Sequence, residues 1–358
     1  MRIVHVIAPP PPPQARPHWR SVCDGTAIEV LACHAAMRAT PSDEHHVIAL
    51  GSTNARRYLA QLGTHPLACV AMPGGIAELA SRNIGRAVDR LGISPDVIHC
   101  WGAPAWRAVR GSNLADRAVA TTLRTGDLPE DTRVSPAKIE TALGQLVPSD
   151  AQRDRLRYEL GIPAGTTLVA LVGEPADRID AWRFVFSLGL AEVCEHKVAA
   201  IIGKGRLGAR RAVGFHRQSE RGFPLRACPG PVAAWLPACD AAWLGVSPEP
   251  DTRERTAGRL WTALAHHHGV PVFSSAGDAA TDLYPPSLLD DLVARTATNP
   301  AMSELLIAAI ERSRTGLLGS AVAAHMMTNT DHAAATSTLR EEWRSHAPRQ
   351  HAATATNR

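Results

Sequence analysis

The run VAAIIGKGRLGARRAVG at 198–214 sets Gly203, Gly205 and Gly208 in a G-x-G-x-x-G spacing directly after a short apolar stretch. An apolar strand that passes through glycines into a helix turns backbone N–H groups toward an anion, usually a phosphate. The spacing alone suggests a nicotinamide dinucleotide. Two features argue against that ligand: the glycines lie mid-chain, not in the first strand–helix unit, and no acidic residue ends the next apolar run, 223–227, to hold a ribose hydroxyl. Lys204 and Arg206 stand between and beside the glycines, where cations meet a phosphate directly. Gly203, Lys204, Gly205 and Arg206 are therefore candidates for holding a phosphate-bearing ligand. A tight turn with no ligand is the alternative, and a nicotinamide-dependent oxidoreductase is a remote one.

Other residues invite chemistry less strongly. His266, His267 and His268 are consecutive; on a helix such residues diverge by ~100°, so they cannot close on one ion. A partly exposed helix end, where histidine suits the negative dipole, is the reading for them, and His45 and His46 at a strand start are read as equally ordinary. Arg206, Arg210 and Arg211 form either a basic face near the glycine turn or a solvated helix surface. Trp182, Trp235, Trp243 and Trp261 read as core. No D-x-D, H-E-x-x-H or Walker sequence occurs, so neither a metal nor a resident cofactor is expected.

Composition bounds the class. The chain has 358 residues, 45% hydrophobic and 20% charged, with a net charge of +4, which describes an ordinary globular protein of two domains. Three lysines, Lys138, Lys197 and Lys204, leave the basic character to arginine, and nothing calls for nucleic acid. Seven scattered cysteines without a C-x-x-C pair suit buried, reduced thiols in a cytoplasmic setting. The first apolar run, 3–8, is too short for a signal peptide and ends in five prolines. No stretch approaches the ~20 apolar residues of a membrane span; peripheral membrane contact stays open.

The elements that must position these residues alternate. Apolar runs at 3–8, 46–50, 66–71, 96–101 and 117–122 are separated by helical patterns at 26–38, 54–62, 76–91 and 103–109. Continuous apolar strands between helices mean a parallel sheet covered on both faces. After a Gly-, Asp-, Pro- and Thr-rich region the alternation restarts, with strands at 167–172, 198–202, 224–227, 241–244 and 270–273. Helical patterns fall at 150–160, ended by Gly161, and at 181–195, 232–236, 253–267, 286–294, 303–314 and 332–345. The fold class is α/β: two Rossmann-like parallel domains facing across a cleft, with sheets within about 1–125 and 165–275.

Four segments carry a resemblance: PDVIHCWG at 95–102, VPSDAQRDRLRYELGIPAGTTLVALVG at 147–173, PACDAAWLGVS at 237–247 and GVPVFSS at 269–275. In this order and spacing the chain resembles GT-B glycosyltransferases, in particular the family-4-like retaining group. The resemblance implies an acceptor-side domain at 1–125, a connection at 126–148, a nucleotide-sugar-side domain at 149–328, a helix at 329–346 returning to the first domain, and a disordered tail at 347–358. It implies sugar transfer of the hexosyltransferase type from a nucleotide-sugar to an unknown acceptor, without metal. It places donor contacts at Gly203, Lys204, Gly205, Arg178, Arg206, Ser247, Glu249 and Glu254, a first-domain loop at Asp24 and Gly25, and a candidate catalytic histidine, His99, at a strand end.

The donor motif is degenerate. The family's basic residue after the first strand of the second domain is Glu174 here, with Arg178 standing in for the second. Of its two glutamates eight positions apart, Glu249 or Glu254 replaces the first, and the second falls near Leu264 and is absent. A catalytically inactive binding or scaffold protein of the same fold is therefore the alternative function.

Overall fold

The computed structural model describes residues 1–8, 26–51, 53–61, 64–73, 76–121, 150–172, 181–203, 207–219, 222–228, 232–245, 252–275, 292–294, 299–314 and 332–346. Strand β1 (Arg2–Ile7) buries every residue after Arg2, so neither face meets water. Strands β4 (Val97–Trp101) and β5 (Ala118–Thr121) are buried throughout. Together with β2 (Glu44–Leu50) and β3 (Ala68–Val70) they form a parallel sheet in the order β3-β2-β1-β4-β5. A second parallel sheet is built on β6 (Thr167–Val172) and β9 (Ala241–Leu244), also buried throughout. It adds β7 (Val198–Gly203), β8 (Leu225–Cys228), β10 (Val272–Ser275) and β11 (Val293–Ala294), in the order β11-β10-β9-β6-β7-β8.

Helices cover these sheets. The first domain has α1 (Thr26–Ala39), α2 (Thr53–Gln61), α3 (Ser81–Arg90) and α4 (Ala103–Arg110). The second has α5 (Asp150–Leu160), α6 (Ala181–Val193), α7 (Leu207–Gln218), α8 (Thr252–His267) and α9 (Asn299–Arg314). Alternation along each strand sorts side chains between two layers. Val4, Val6, Ile98 and Cys100 join the cluster under α3 and α4, whereas Ile3, Ile7, Val97 and Trp101 join a cluster that continues into the second domain. Among the described residues no helix is long and apolar enough to cross a membrane.

Helix α10 (His332–His346) follows the second domain in sequence and packs on the first sheet, against β4 and β5. Leu339 and Trp343, four apart and on one face, are fully buried. Their burial contributes on the order of 2 kcal/mol each. The Arg340–Asp43 ion pair (2.8 Å), whose arginine is 25% exposed, adds ~1 kcal/mol at most, so apolar contact does most of the holding. Helix α8 of the second domain also packs against α1.

The structure corrects the sequence reading in several places. The second sheet reaches Ala294: the stretch read as helical at 286–294 ends in strand β11, too short to show a period. His266 is buried in α8 at 1% exposure, not part of an exposed helix end. Cys194 is exposed; Cys33, Cys100, Cys228 and Cys239 are buried and unpaired, and burial pushes their thiols up, which suits packing rather than nucleophilic work.

Helix α5 is tied to the second sheet through Asp240. Its carboxylate accepts from Arg153, from Arg157 Nη1 (3.0 Å) and from the backbone N–H of Leu168 at the start of β6 (2.7 Å). At the other end of α5, Gly161 takes a left-handed φ of +65° and closes the helix, with its N–H on Tyr158 O and that of Ile162 on Arg157 O. Asp240→Ala leaves two arginines and a strand N–H without their acceptor. It is expected to destabilise the second domain by about 2–3 kcal/mol, read as a lower urea midpoint for second-domain probes with first-domain probes unmoved.

Candidate functional site

Open parallel sheets bind ligands beyond the C-terminal ends of their strands, where the strand order reverses. That point lies between β1 and β4 in the first sheet and between β6 and β9 in the second. Gly203 is the last residue of β7, paired with Cys228, and Lys204, Gly205 and Arg206 follow it directly. Arg178 follows β6, Ser247 and Glu249 follow β9, and Glu254 falls in α8. Strands β7, β6 and β9 are consecutive neighbours and parallel, so these three segments set out from one edge of one sheet. Arg178, Lys204, Gly205, Arg206, Ser247 and Glu249 lie outside the described residues, as do Glu174, Asp24, Gly25 and the side chain of Glu254. A Cβ on Gly203 would meet only Val232 Cγ2, at an ordinary 3.5 Å, and its φ is outside the left-handed region. No steric demand in the described structure requires glycine there.

In the first sheet, His99 does not end its strand. β4 continues to Trp101, and the His99 side chain is 0% exposed. Trp343 Nε1 donates to its Nδ1 (3.1 Å), and its Nε2 lies 2.8 Å from Thr121 Oγ1. An indole N–H can only donate, so Nδ1 is the acceptor and the proton sits on Nε2. Both ring nitrogens are thus engaged within the fold, and the ring stacks on Trp101 with centroids 3.9 Å apart. In this arrangement His99 seats the C-terminal helix instead of facing a substrate.

The switch point of the first sheet holds a feature the sequence reading missed. Gly102, directly after β4, caps the N-terminus of α4 with φ +88° and ψ 161°, a conformation open essentially to glycine alone. A Cβ there would overlap the Glu29 carboxylate, 2.7 Å from its Cδ. Glu29, in the first turn of α1, is 5% exposed. A buried carboxylate therefore packs against the N-terminus of α4, whose positive end favours the charge, at the sheet edge where ligands of such folds sit. Its oxygens can accept hydrogen bonds from hydroxyl groups. The signal was faint: Trp101-Gly102-Ala103-Pro104 marks a strand–turn–helix junction, but nothing in the chain links it to a residue about 70 positions earlier. Among the described residues no cluster of histidine, cysteine and carboxylate groups is arranged to hold a metal ion.

The two parallel sheets, each with a switch point and joined by the returning α10, define the GT-B class of fold. No family model matches the sequence, and no curated protein matches it. Solved structures do. The chain is similar to Anabaena HepE (Alr3699), whose structure was determined in complex with UDP and glucose, with TM-score 0.58 and 16% identity over 96% of this chain and 100% of that one. It is similar to WaaG, a glycosyltransferase of lipopolysaccharide biosynthesis, with TM-score 0.50 and 13% identity over 95% and 99%. A putative UDP-N-acetylglucosamine 2-epimerase from Listeria monocytogenes matches with TM-score 0.50 and 10% identity over 96% of each chain. At these identities the likeness is one of fold.

The two glycines are expected to answer substitution differently. Gly102→Ala combines a disallowed backbone with a carboxylate clash and should cost about 2–4 kcal/mol. Adding Glu29→Ala should return only part of that, since the backbone strain remains. Gly203→Ala should cost less than about 1 kcal/mol. Thermal unfolding of the two single variants and the double variant checks this; equal losses at both glycines would refute the reading.

Proposed function

We propose that this chain is a glycosyltransferase that binds a nucleotide-sugar on its second domain and an acceptor on its first. The observation that carries the reading is that the segments bearing Arg178, Lys204 to Arg206 and Ser247 to Glu249 follow three adjacent parallel strands and so set out from one edge of one sheet. A departing nucleoside diphosphate needs its growing charge stabilised as the glycosidic bond breaks. In this proposal Lys204, Arg178 and Arg206, with the N–H groups of Gly203 and Gly205, supply that stabilisation. Ser247, Glu249 and Glu254 hold the sugar side of the donor. No metal takes part in the proposed reaction, and nucleic acid is not a partner.

A second reading, a binding protein that has lost donor chemistry, is favoured by Leu264. Where the resembling family carries its second glutamate, this chain has a side chain only 5% exposed within the apolar core. A carboxylate at that depth would be costly, so the position has been turned over to packing. Fold by itself does not choose between the readings.

A thermal-shift and calorimetric panel of UDP-, GDP-, ADP- and dTDP-sugars separates them, because a ligand that binds only the native state raises its apparent stability. One nucleotide-sugar is expected to bind, and Lys204→Ala to weaken it by about 1–3 kcal/mol, the worth of a charged hydrogen bond. Glu174→Arg, which exchanges an acid for the family's cation, is expected to tighten binding. Absence of binding by every nucleotide-sugar, before and after the Glu174 change, would leave the binding-protein reading standing.

A further inference from the structure

The face of the first sheet under α10 carries three histidines from neighbouring strands, and hydrogen bonds set their tautomers. Trp101 Nε1 donates to His5 Nδ1 (3.0 Å), which leaves the His5 proton on Nε2. That nitrogen lies 2.9 Å from His45 Nδ1 and donates to it. His45 then carries its own proton on Nε2, 2.9 Å from Thr40 O. The Trp343–His99–Thr121 chain runs alongside, with His5 and His99 paired in register across β1 and β4. Each ring is neutral, and each Nδ1 receives an N–H from a neighbouring ring. Trp343 lies edge-on to all three, with centroids 5.9–6.2 Å away, so α10 is the lid over the cluster.

We propose that docking of α10 on the first domain is proton-sensitive: acid converts an Nδ1 acceptor of this histidine cluster into a donor that opposes an N–H, and the helix is released. Burial holds His5 well below the ordinary histidine range, and His45, His99 and His46 push it the same way. Burial also lowers His45, although Thr40 O and Asp43 act against it. Among the described residues the charged groups nearby are engaged elsewhere. His46 is engaged by Glu44 (2.9 Å) at the outer end of β2. Asp43 takes both the Met1 ammonium and Arg340. Helix α10 brings Arg340, Glu341, Glu342 and Arg344; Thr40, just past α1, and Thr121 of β5 bring hydroxyls, and Glu29 sits at the far end of α1, against Gly102.

The sign follows from linkage. A histidine whose docked pKa lies below its exposed value of ~6.5 gives docking its full strength above that pH and subtracts from it as pH falls. At pH 5, 1.5 units lower, each histidine held neutral by docking favours release about thirtyfold. Asp43 does not contribute in this window. Burial resists its ionisation, but Arg340 and the N-terminal ammonium outweigh that and hold it below 3.8, so its link to α10 persists until stronger acid.

Hydrogen exchange on the full chain, corrected for the intrinsic pH dependence of exchange, tests the proposal. Between pH 7.5 and 5.0 the protection of residues 332–346 should fall by about thirtyfold or more, while β6 and α5 keep theirs. His99→Asn retains an acceptor for the Trp343 N–H but cannot be protonated, and should reduce that fall. Trp343→Phe, the variant to rely on if His99→Asn does not fold, should protect the helix less at pH 7.5 and show a flatter pH dependence. Unchanged protection at pH 5.0, a loss shared equally by both domains, or the wild-type pH dependence in Trp343→Phe would each overturn it.

Discussion

A parallel sheet has two apolar faces, and both must be covered from water, so the placement of the helices in this molecule answers to coverage. On the first sheet, α3 and α4 close one face. The other is closed by α1 and α2 together with α10, a helix that arrives from beyond the second domain. Because that face carries His5, His45 and His99 besides Ile3 and Ile7, its cover has to match polar atoms as well as exclude water. An unmatched buried nitrogen costs about 1–3 kcal/mol. Trp101 and Trp343 meet the requirement with one N–H each while keeping their rings apolar. The hydrogen-bond chains, the single tautomer of each ring and the position of the last helix are consequences of one sheet face being closed.

The second sheet meets the same constraint with its own helices and leaves its C-terminal edge to the segments that follow β6, β7 and β9. The conflict between resemblance and residues is concentrated there. Glu174 and Leu264 are where the residues part from the resemblance: one is an acid two positions after β6 in the sequence, the other a buried apolar side chain in α8. The frame is shared with HepE, WaaG and an epimerase, and chemistry on such frames is decided in the segments beyond the strands.

Most of the framework was legible because strands buried on both faces print as unbroken apolar runs. LVALV in β6 is of this kind, and helices between such runs show in the 3.6-residue spacing. Strand β11, two residues long, has no period to read. The same physics explains what was missed at the sites. His99 read as a cleft-facing residue near a strand end because such ends face ligands in open α/β sheets; its burial depends on Trp343, 244 positions later in the chain. The pairing of His5 with His99 and of Glu29 with Gly102 needs strand register and a helix packing across it, neither of which one chain of letters carries. Gly102 was visible as a glycine, but its positive φ was not.

The return of α10 also has a consequence in time. Synthesis delivers β1 to β5 early, yet the helix that closes their His5–His99 face is encoded roughly 210 residues after β5. At about 5–20 residues per second, a nascent first domain spends about 10–40 seconds without α10 over its part of that face. During that interval three histidines and the ring of Trp101 stand where Leu339 and Trp343 will later lie. The first domain is therefore the earlier to be made and the later to be finished, and a ribosome-bound chain presents to its surroundings a surface that the mature protein hides.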